Sequence, residues 1–467
     1  MPDAQILPRI TRSIPPGPPG YPLVGVLPRL RTDPLGYLTD IAQRYGDIVN
    51  LGARRWGLRW YLISGPDQIQ YILQENHRNY RHGLNSAILT KHLAGNGLPV
   101  NDGPTWLRQR RLIQPAFHHD RIAALIPIVT EAIARTLEHW DASAQRGQAI
   151  DVEQEMEALM LNIVVETMFG NGLSAAEIQA ISQAVSTVIG YISWLALLPL
   201  PLWLPTARTR AFRRALQLLN TTIYRLIDQR RRRRERRDDF LSLLLDARDD
   251  STNTGMTDTQ VRDEVMSFFL AGHGPTAIAL TWIWYLLAEH PDVERRVAAE
   301  AGSVLGGRAP TFADIGQLSY TRMVVDEALR LYPPAWLFTR SPRSDDVIGG
   351  CAIPRGSVLL ISPYVTHRHS LYWERPETFD PQRFAPEQVA SRPRFAYIPF
   401  GGGPHLCIGS HLAVAEAQLI VAMISQRYRL RLAPGHNVEP EALLLLRTRH
   451  GLPMVLQQHN AAKGGEV

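Results

Sequence analysis

Phe400-Gly401-Gly402-Gly403-Pro404-His405-Leu406-Cys407-Ile408-Gly409 runs straight into an apolar, alanine-rich helical pattern from His411 to about Gln426. One cysteine therefore sits on a glycine-rich loop at the mouth of a helix. Glycines let the backbone fold tightly beneath a flat ligand. The helix N-terminus and its neighbouring amides favour a thiolate over a thiol, and the thiolate is the form that ligates a metal. A lone cysteine is most often an inert buried hydrophobe, so the ten-residue setting carries the reading.

Upstream, Glu327-Ala328-Leu329-Arg330 sets opposite charges at i and i+3 on one helical face. Pro376-Glu377-Thr378-Phe379-Asp380-Pro381-Gln382-Arg383-Phe384 supplies another arginine. Trp106-Leu107-Arg108-Gln109-Arg110 places Trp106 and Arg110 one helical turn apart, and Gln114-Pro115-Ala116-Phe117 follows. Leu331-Tyr332-Pro333-Pro334 precedes Arg340. A capping box at Thr257-Asp258-Thr259-Gln260 opens a helical pattern that continues to about His290. At 1.5 Å per residue such a helix is roughly 50 Å long.

In order and spacing, from about residue 100 to 450, these elements resemble the cytochrome P-450 family. The resemblance implies a mainly α fold with small β-sheets, a triangular helical prism around haem b, and the chemistry of a bacterial soluble haem-thiolate monooxygenase. It implies Cys407 as the axial iron ligand, with Phe400 against the sulfur and Gly403 and Gly409 shaping the loop. Trp106, Arg110, Arg340 and His405 become partners of the haem propionates, although the family usually has arginine where His405 stands, and a histidine's charge depends on pH. Glu327, Arg330 and Arg383 become a three-residue lock that holds the cysteine loop. The chain then divides into a Pro-rich lead-in at 1–20, whose PPGPPG cannot be helical, a single haem-thiolate catalytic domain at 21–458, and a tail at 459–467.

One segment departs from the pattern. Where the family reads Ala-Gly-x-acid-Thr, this chain has Ala271-Gly272-His273-Gly274-Pro275-Thr276. Gly274 and Pro275 carry no proton, so the usual relay is absent unless Thr276 turns inward. Pro275 crowds the Ala271 carbonyl and offers it no amide, which predicts a kink and a free acceptor for water. Three substitutes for the relay follow: a water chain, a polar group of the substrate, or hydrogen peroxide as oxidant. Peroxide-using fatty-acid members place Arg-Pro here, but Gly274 lacks their guanidinium. His273 reads as structural.

The composition fits this picture: 467 residues, 45% hydrophobic, 20% charged, net charge +6. Two cysteines exclude a disulfide scaffold and fit a reducing cytoplasm. The mild basic excess does not indicate nucleic acid, and neither a signal peptide nor a transmembrane anchor is expected. Lys91 and Lys463 are the only lysines, a bias that fits a GC-rich bacterial genome. The uncharged run from Val188 to Leu204 is expected to be a mobile lid, and RRRRRERRDD at 230–239 a solvated helix end. In the family the pocket is walled by 81–100, the lid, Phe268–Ala271, Ala335–Phe338 and Leu445–Thr448, an apolar lining for a lipophilic small molecule of terpenoid or polyketide type. With no flavin or iron-sulfur extension, electrons are expected from ferredoxin and ferredoxin reductase, docking near Arg108, Arg111, Arg392 and Arg394. The alternatives are a peroxygenase, a non-oxygenating haem isomerase or dehydratase, and a haem sensor.

Overall fold

The computed structural model describes residues 14–21, 25–52, 59–83, 94–197, 206–233, 237, 239–249 and 252–458. The chain forms two units, Met1–Ser86 with Trp336–Glu377 and Arg392–Leu406, and Ala87–Ala335 with Thr378–Ser391 and Cys407–Val467.

The first unit is built on strands β1 (Ile48–Asn50), β2 (Trp60–Ile63), β3 (Tyr80–His82), β4 (Phe338–Pro342), β5 (Asp346–Ile348), β6 (Cys351–Ile353) and β7 (Val358–Ile361). Five of them form one sheet in the order β1-β2-β7-β4-β3. β2 and β7 pair in parallel and are buried, which suits their apolar Trp-Tyr-Leu-Ile and Val-Leu-Leu-Ile sequences. β3 lies antiparallel to β4 with His82 opposite Arg340. β5 and β6 form a hairpin whose two turn residues, Gly349 and Gly350, both have positive φ, the condition that a tight mirror-image turn sets. Ile48, Tyr61, Ile69, Leu359, Ile361, Phe395 and Ile398 form the core of this unit. Backbone contacts begin upstream of Tyr21: Asn50 donates to the Pro16 carbonyl at 2.7 Å.

The second unit is mainly helical, with α1 (Gly103–Ile113), α2 (His119–Gln145), α3 (Val152–Phe169), α4 (Ala175–Leu197), α5 (Ala207–Arg233), α6 (Asp258–Gly272), α7 (Gly274–Glu289), α8 (Ser319–Leu331) and α9 (Ser410–Arg427). α2 forms through Pro127, and Ile122, Leu125, Ile126, Val129, Ile133 and Leu137 all point inward, as their spacing predicts. The Ser174–Glu177 capping box opens α4, each residue's side chain taking the other's amide. Most of α3 and α7 is apolar and buried, and the two helices pack together. Tyr428–Leu432, Pro453–Gln458 and Ala149–Asp151 make a three-stranded sheet, and Pro440–Ala442 pairs with Leu446–Thr448.

Three expectations change. The helix expected from Thr257 to about His290 is two helices, α6 and α7, separated at His273. Pro275 has no amide for the Ala271 carbonyl, and the ladder ends there. The run at 230–239 is not simply solvated. Arg230 is buried, bonding Asp239 at 2.5 Å, Ser242 Oγ at 2.6 Å and the Phe169 carbonyl at 3.1 Å, while Arg231, Arg232 and Arg233 are exposed. The first part of the supposed lid is helix: Val188, Tyr191 and Ile192 are buried, and Tyr191 stacks on Phe212 with ring centroids 4.5 Å apart. The rest of that run, 198–205, lies outside the described residues, as do 84–93 of the expected pocket wall and the tail at 459–467. Among the described residues no helix is long and apolar enough to cross a membrane.

Candidate active site

Cys407 lies three residues ahead of α9 and carries no disulfide. Its side chain is accessible, yet burial pushes the thiol pKa up, while the Gly409 amide and the Arg110 charge pull it down. Ile408 and Leu412 pack on an apolar cluster that contains Trp106. A side chain at Gly409 would lie 3.7 Å from Phe117, whose ring meets Phe240 and Phe268 at 5.0 and 5.7 Å. Nothing local in Gln114-Pro115-Ala116-Phe117 gives Phe117 a partner. The structure makes it a support of the cysteine loop.

Trp106 and Arg110 lie on α1, Trp106 buried and Arg110 half-buried. Burial lowers the Arg110 pKa and the charge of Cys407 raises it.

Glu327 and Arg330 are completely buried on α8. Arg330 grips both carboxylate oxygens, Nε to Oε2 at 2.7 Å and Nη2 to Oε1 at 2.8 Å, and Nη2 also donates to the Thr378 carbonyl at 3.1 Å. The Asp380 amide donates to Oε1 at 2.9 Å, and Arg383 Nε stands 3.4 Å from the same oxygen. Burial pushes the Glu327 pKa up and the two arginines oppose it. The structure thus brings all three residues of the expected lock together.

At the break between α6 and α7, His273 is buried and donates from Nδ1 to the Phe269 carbonyl at 2.5 Å. Burial lowers its pKa, and the bond ties its Nδ1 to the backbone of the preceding helix. Ala271 and Gly272 end α6, and Gly274 and Pro275 begin α7. A side chain at Gly274 would meet Leu445 at 3.6 Å, an ordinary contact. Thr276 is buried, and its hydroxyl donates to the Gly272 carbonyl at 3.5 Å. The turn that carries Leu445 is fixed by Trp282, which stacks on Tyr332 at 3.9 Å and donates from Nε1 to the Leu446 carbonyl at 2.8 Å.

In the first unit, Arg340 is buried on β4 and donates to the Thr339 carbonyl at 2.9 Å. Phe400 is half-buried. His405 ends a short helical turn, Gly403–His405, and its ring meets that of His82 edge to face. Gly403 has φ of 65°, and a side chain there would overlap the Leu73 carbonyl, so only glycine lets the loop lie this close to its neighbour. Nothing local in Tyr80-Arg81-His82 gives His82 a partner.

Of the four arginines expected to meet a ferredoxin, Arg111 and Arg394 are exposed. Arg108 is turned onto the Thr254 and Gly255 carbonyls, and Arg392 lies 3.8 Å over the Trp373 ring. These two serve the protein's own packing. Arg111 shares a cleft of about 430 Å³ with Arg121, Arg248, Asp246 and Asp249, a mixed charge that selects no one ligand.

The residues fit the haem b that the resemblance implies. A desolvated, reachable thiol stays protonated until a cation binds and then delivers its thiolate with release of the proton. Arg110 and Arg340 are poorly hydrated cations of the kind that hold carboxylates through charge-assisted bonds.

Known proteins agree. The Cytochrome P450 family model matches residues 15–452. Cyclooctatin synthase of Streptomyces melanosporofaciens is 39% identical over 433 residues, covering 92% of each chain. Cyclooctat-9-en-7-ol 5-monooxygenase of the same organism is 36% identical, covering 90% of each. Pentalenene oxygenase of Streptomyces avermitilis is 33% identical over 91% of this chain and 93% of its own. The crystal structure of the cytochrome P450DA heme domain superposes with a TM-score of 0.87 over 96% of this chain and 98% of its own, at 24% identity. With fold, sequence and cysteine loop in agreement along almost the whole length, the chain belongs to the cytochrome P450 family, the haem b monooxygenases.

Proposed function

We propose that this enzyme inserts one oxygen atom of O2 into a lipophilic terpenoid of bacterial secondary metabolism, with electrons from a ferredoxin and its reductase in the cytoplasm. The observation that carries the substrate class is the set of relatives: cyclooctatin synthase, cyclooctat-9-en-7-ol 5-monooxygenase and pentalenene oxygenase, at 33 to 39% identity over nine-tenths or more of this chain. The reaction consumes two electrons and two protons, and the second oxygen atom leaves as water.

Bound haem supplies the activation of O2. Cys407 would hold the iron, with Phe400 and Gly409 shaping its loop. Trp106, Arg110, Arg340 and His405 would hold the propionates, and Glu327, Arg330 and Arg383 would brace the cysteine loop. Ala271, Gly272, Gly274, Pro275 and Thr276 form the oxygen-activation segment, and within it Thr276 Oγ1 holds the proton. The reading is supported by the burial of Thr276, and by Gly274 and Pro275 having no proton to give. The Ala271 carbonyl, without an amide from Pro275, accepts from a water that replenishes Thr276.

The test is product formation from a cyclic terpene that shifts the haem spectrum. Ferredoxin, reductase, NADPH, O2 and catalase make one reaction, and hydrogen peroxide alone the other. Product in the first is expected. Product only with peroxide would make the enzyme a peroxygenase, and turnover without oxygen or reductant an isomerase or dehydratase.

A further inference from the structure

Two neighbouring acids on α6 hold the described part of the expected pocket wall. The Asn96 amide donates to Asp263 Oδ2 at 2.9 Å, and the Leu98 amide to Glu264 Oε2 at 3.1 Å. Both acids are buried, and they precede Ala271, where the oxygen-activation segment begins, by about two helical turns. Their bonds differ in kind. Burial pushes the Glu264 pKa up to about 8, whereas Asp263 is paired with Arg262, whose Nη1 donates to Oδ1 at 2.8 Å. A charged acceptor holds an amide more strongly than a neutral one, so Asp263 carries the firmer of the two bonds.

The seat is shaped for this contact. Gly95 has φ of 54°, and a side chain there would overlap the Asp263 carboxylate. A side chain at Gly97 would overlap Ser267 Oγ. The backbone reaches the two acids because residues 95 and 97 are glycine. Asp263 also faces outward, since Arg262 Nε donates to Asn220 Oδ1 on α5 at 2.7 Å. Asn96 faces the other way: its carbonyl accepts from Nε2 of the buried Gln109 at 2.9 Å, on α1 beside Arg110. A continuous line of bonds thus runs from α1 through Asn96, Asp263 and Arg262 to α5, within the second unit.

We infer that Asp263 is a positioning residue for the monooxygenase reaction: it fixes the wall segment 94–98 against α6, and with it the room left for a bulky guest beside the oxygen-activation segment. The inference rests on the haem-thiolate reading and on that segment walling the pocket. Asp263 acts through the Asn96 amide. Loosening that bond frees one wall while Cys407 and the proposed propionate partners keep their places.

The test compares wild type, Asp263→Asn and Gly97→Ala in the complete haem-loaded protein. Asp263→Asn keeps the volume and an acceptor but loses the charge. Gly97→Ala lifts the segment off Ser267 and leaves Asp263 and Arg262 untouched. Two iron-binding probes are titrated by the shift of the haem spectrum: imidazole, too small to reach a wall, and 4-phenylimidazole, which has to fit between walls. Both variants are expected to bind imidazole as wild type does and 4-phenylimidazole less tightly. Amide hydrogen exchange gives a second readout, and in Asp263→Asn the Asn96 amide is expected to exchange about 10-fold faster, the difference between a charged and a neutral acceptor. Wild-type affinity for both probes in both variants would overturn the inference. So would an equal weakening of both probes, or faster exchange spread over α3 and α7 as well, which would mean that Asp263 serves the stability of the whole unit. A wild-type protein without the reduced carbon monoxide band of a haem-thiolate would instead refute the haem-thiolate reading, a result distinct from these.

Discussion

Thr276→Ala removes a hydroxyl that the structure buries beside the gap in its helix. General acid catalysis typically contributes about 100- to 10,000-fold. The alanine variant is therefore expected to make about 100-fold less product per NADPH, with the missing electrons recovered as peroxide when catalase is omitted. Unchanged coupling would exclude Thr276 as the proton source. Cys407→Ser should retain little haem and show no band near 450 nm when reduced under carbon monoxide. At this scale the sequence is most legible where one residue type has one chemistry. A cysteine among glycines and a proline inside a helical run each announce their consequence. The surroundings of His82 are not announced in this way, because they depend on register with β4, a strand from a distant part of the chain.

The lock on α8 and the hairpin of the first unit carry the predictions for elements. Removing one partner of a buried ion pair leaves the other charge uncompensated, at a typical loss of about 3–5 kcal/mol. Glu327→Ala strands Arg330, which is completely buried, and Arg383. It is expected to lose about that much stability in urea unfolding. Arg330→Lys is expected to fare little better, since lysine cannot grip both oxygens. Asp346 offers a second test. Burial pushes its pKa up, but hydrogen bonds from Tyr80, the Val347 amide, Tyr71 and Asn79 outweigh that, and the net shift is downward. A lowered carboxyl pKa gives stability that is present above the unfolded value, about 3.9, and lost as pH falls through the folded one. Asp346→Asn should flatten the acid limb of the melting temperature plotted against pH. Helix positions were readable from apolar spacing, as α2 shows. What the spacing could not give was the burial of Arg230, because its partners Asp239, Ser242 and Phe169 are assembled only when α3 and α5 meet.

For the molecule as a whole, two buried carboxyl groups work in the opposite sense. Burial pushes Glu264 and Glu416 each up to about 8. Below an unfolded value of about 4.3 both states are protonated, so neither group costs stability there. As pH rises toward 8 the unfolded chain ionises first, and folding stability falls until the folded carboxyls ionise too. Glu416→Gln is expected to reduce the slope of unfolding free energy against pH between about 5 and 8 and to stabilise the protein at pH 8; an unchanged slope would mean that Glu416 is ionised in the fold. The outer surface yields a further prediction. Arg111→Glu and Arg394→Glu, made separately, should each weaken ferredoxin-driven turnover, most strongly at low salt, where surface charges act furthest. The family architecture was legible because its motifs recur in fixed order. The division of the long helix was only half legible, since a proline announces a kink but not whether the ladder survives it.

The interruption at His273 also bears on how the protein opens. In an unbroken helix, each turn that frays exposes the next, and opening travels along the rod. Here α6 and α7 close separate ladders, so they behave as two cooperative blocks with separate opening energies. Amide hydrogen exchange should resolve them, α7 protected longer by its buried Trp282 and Trp284.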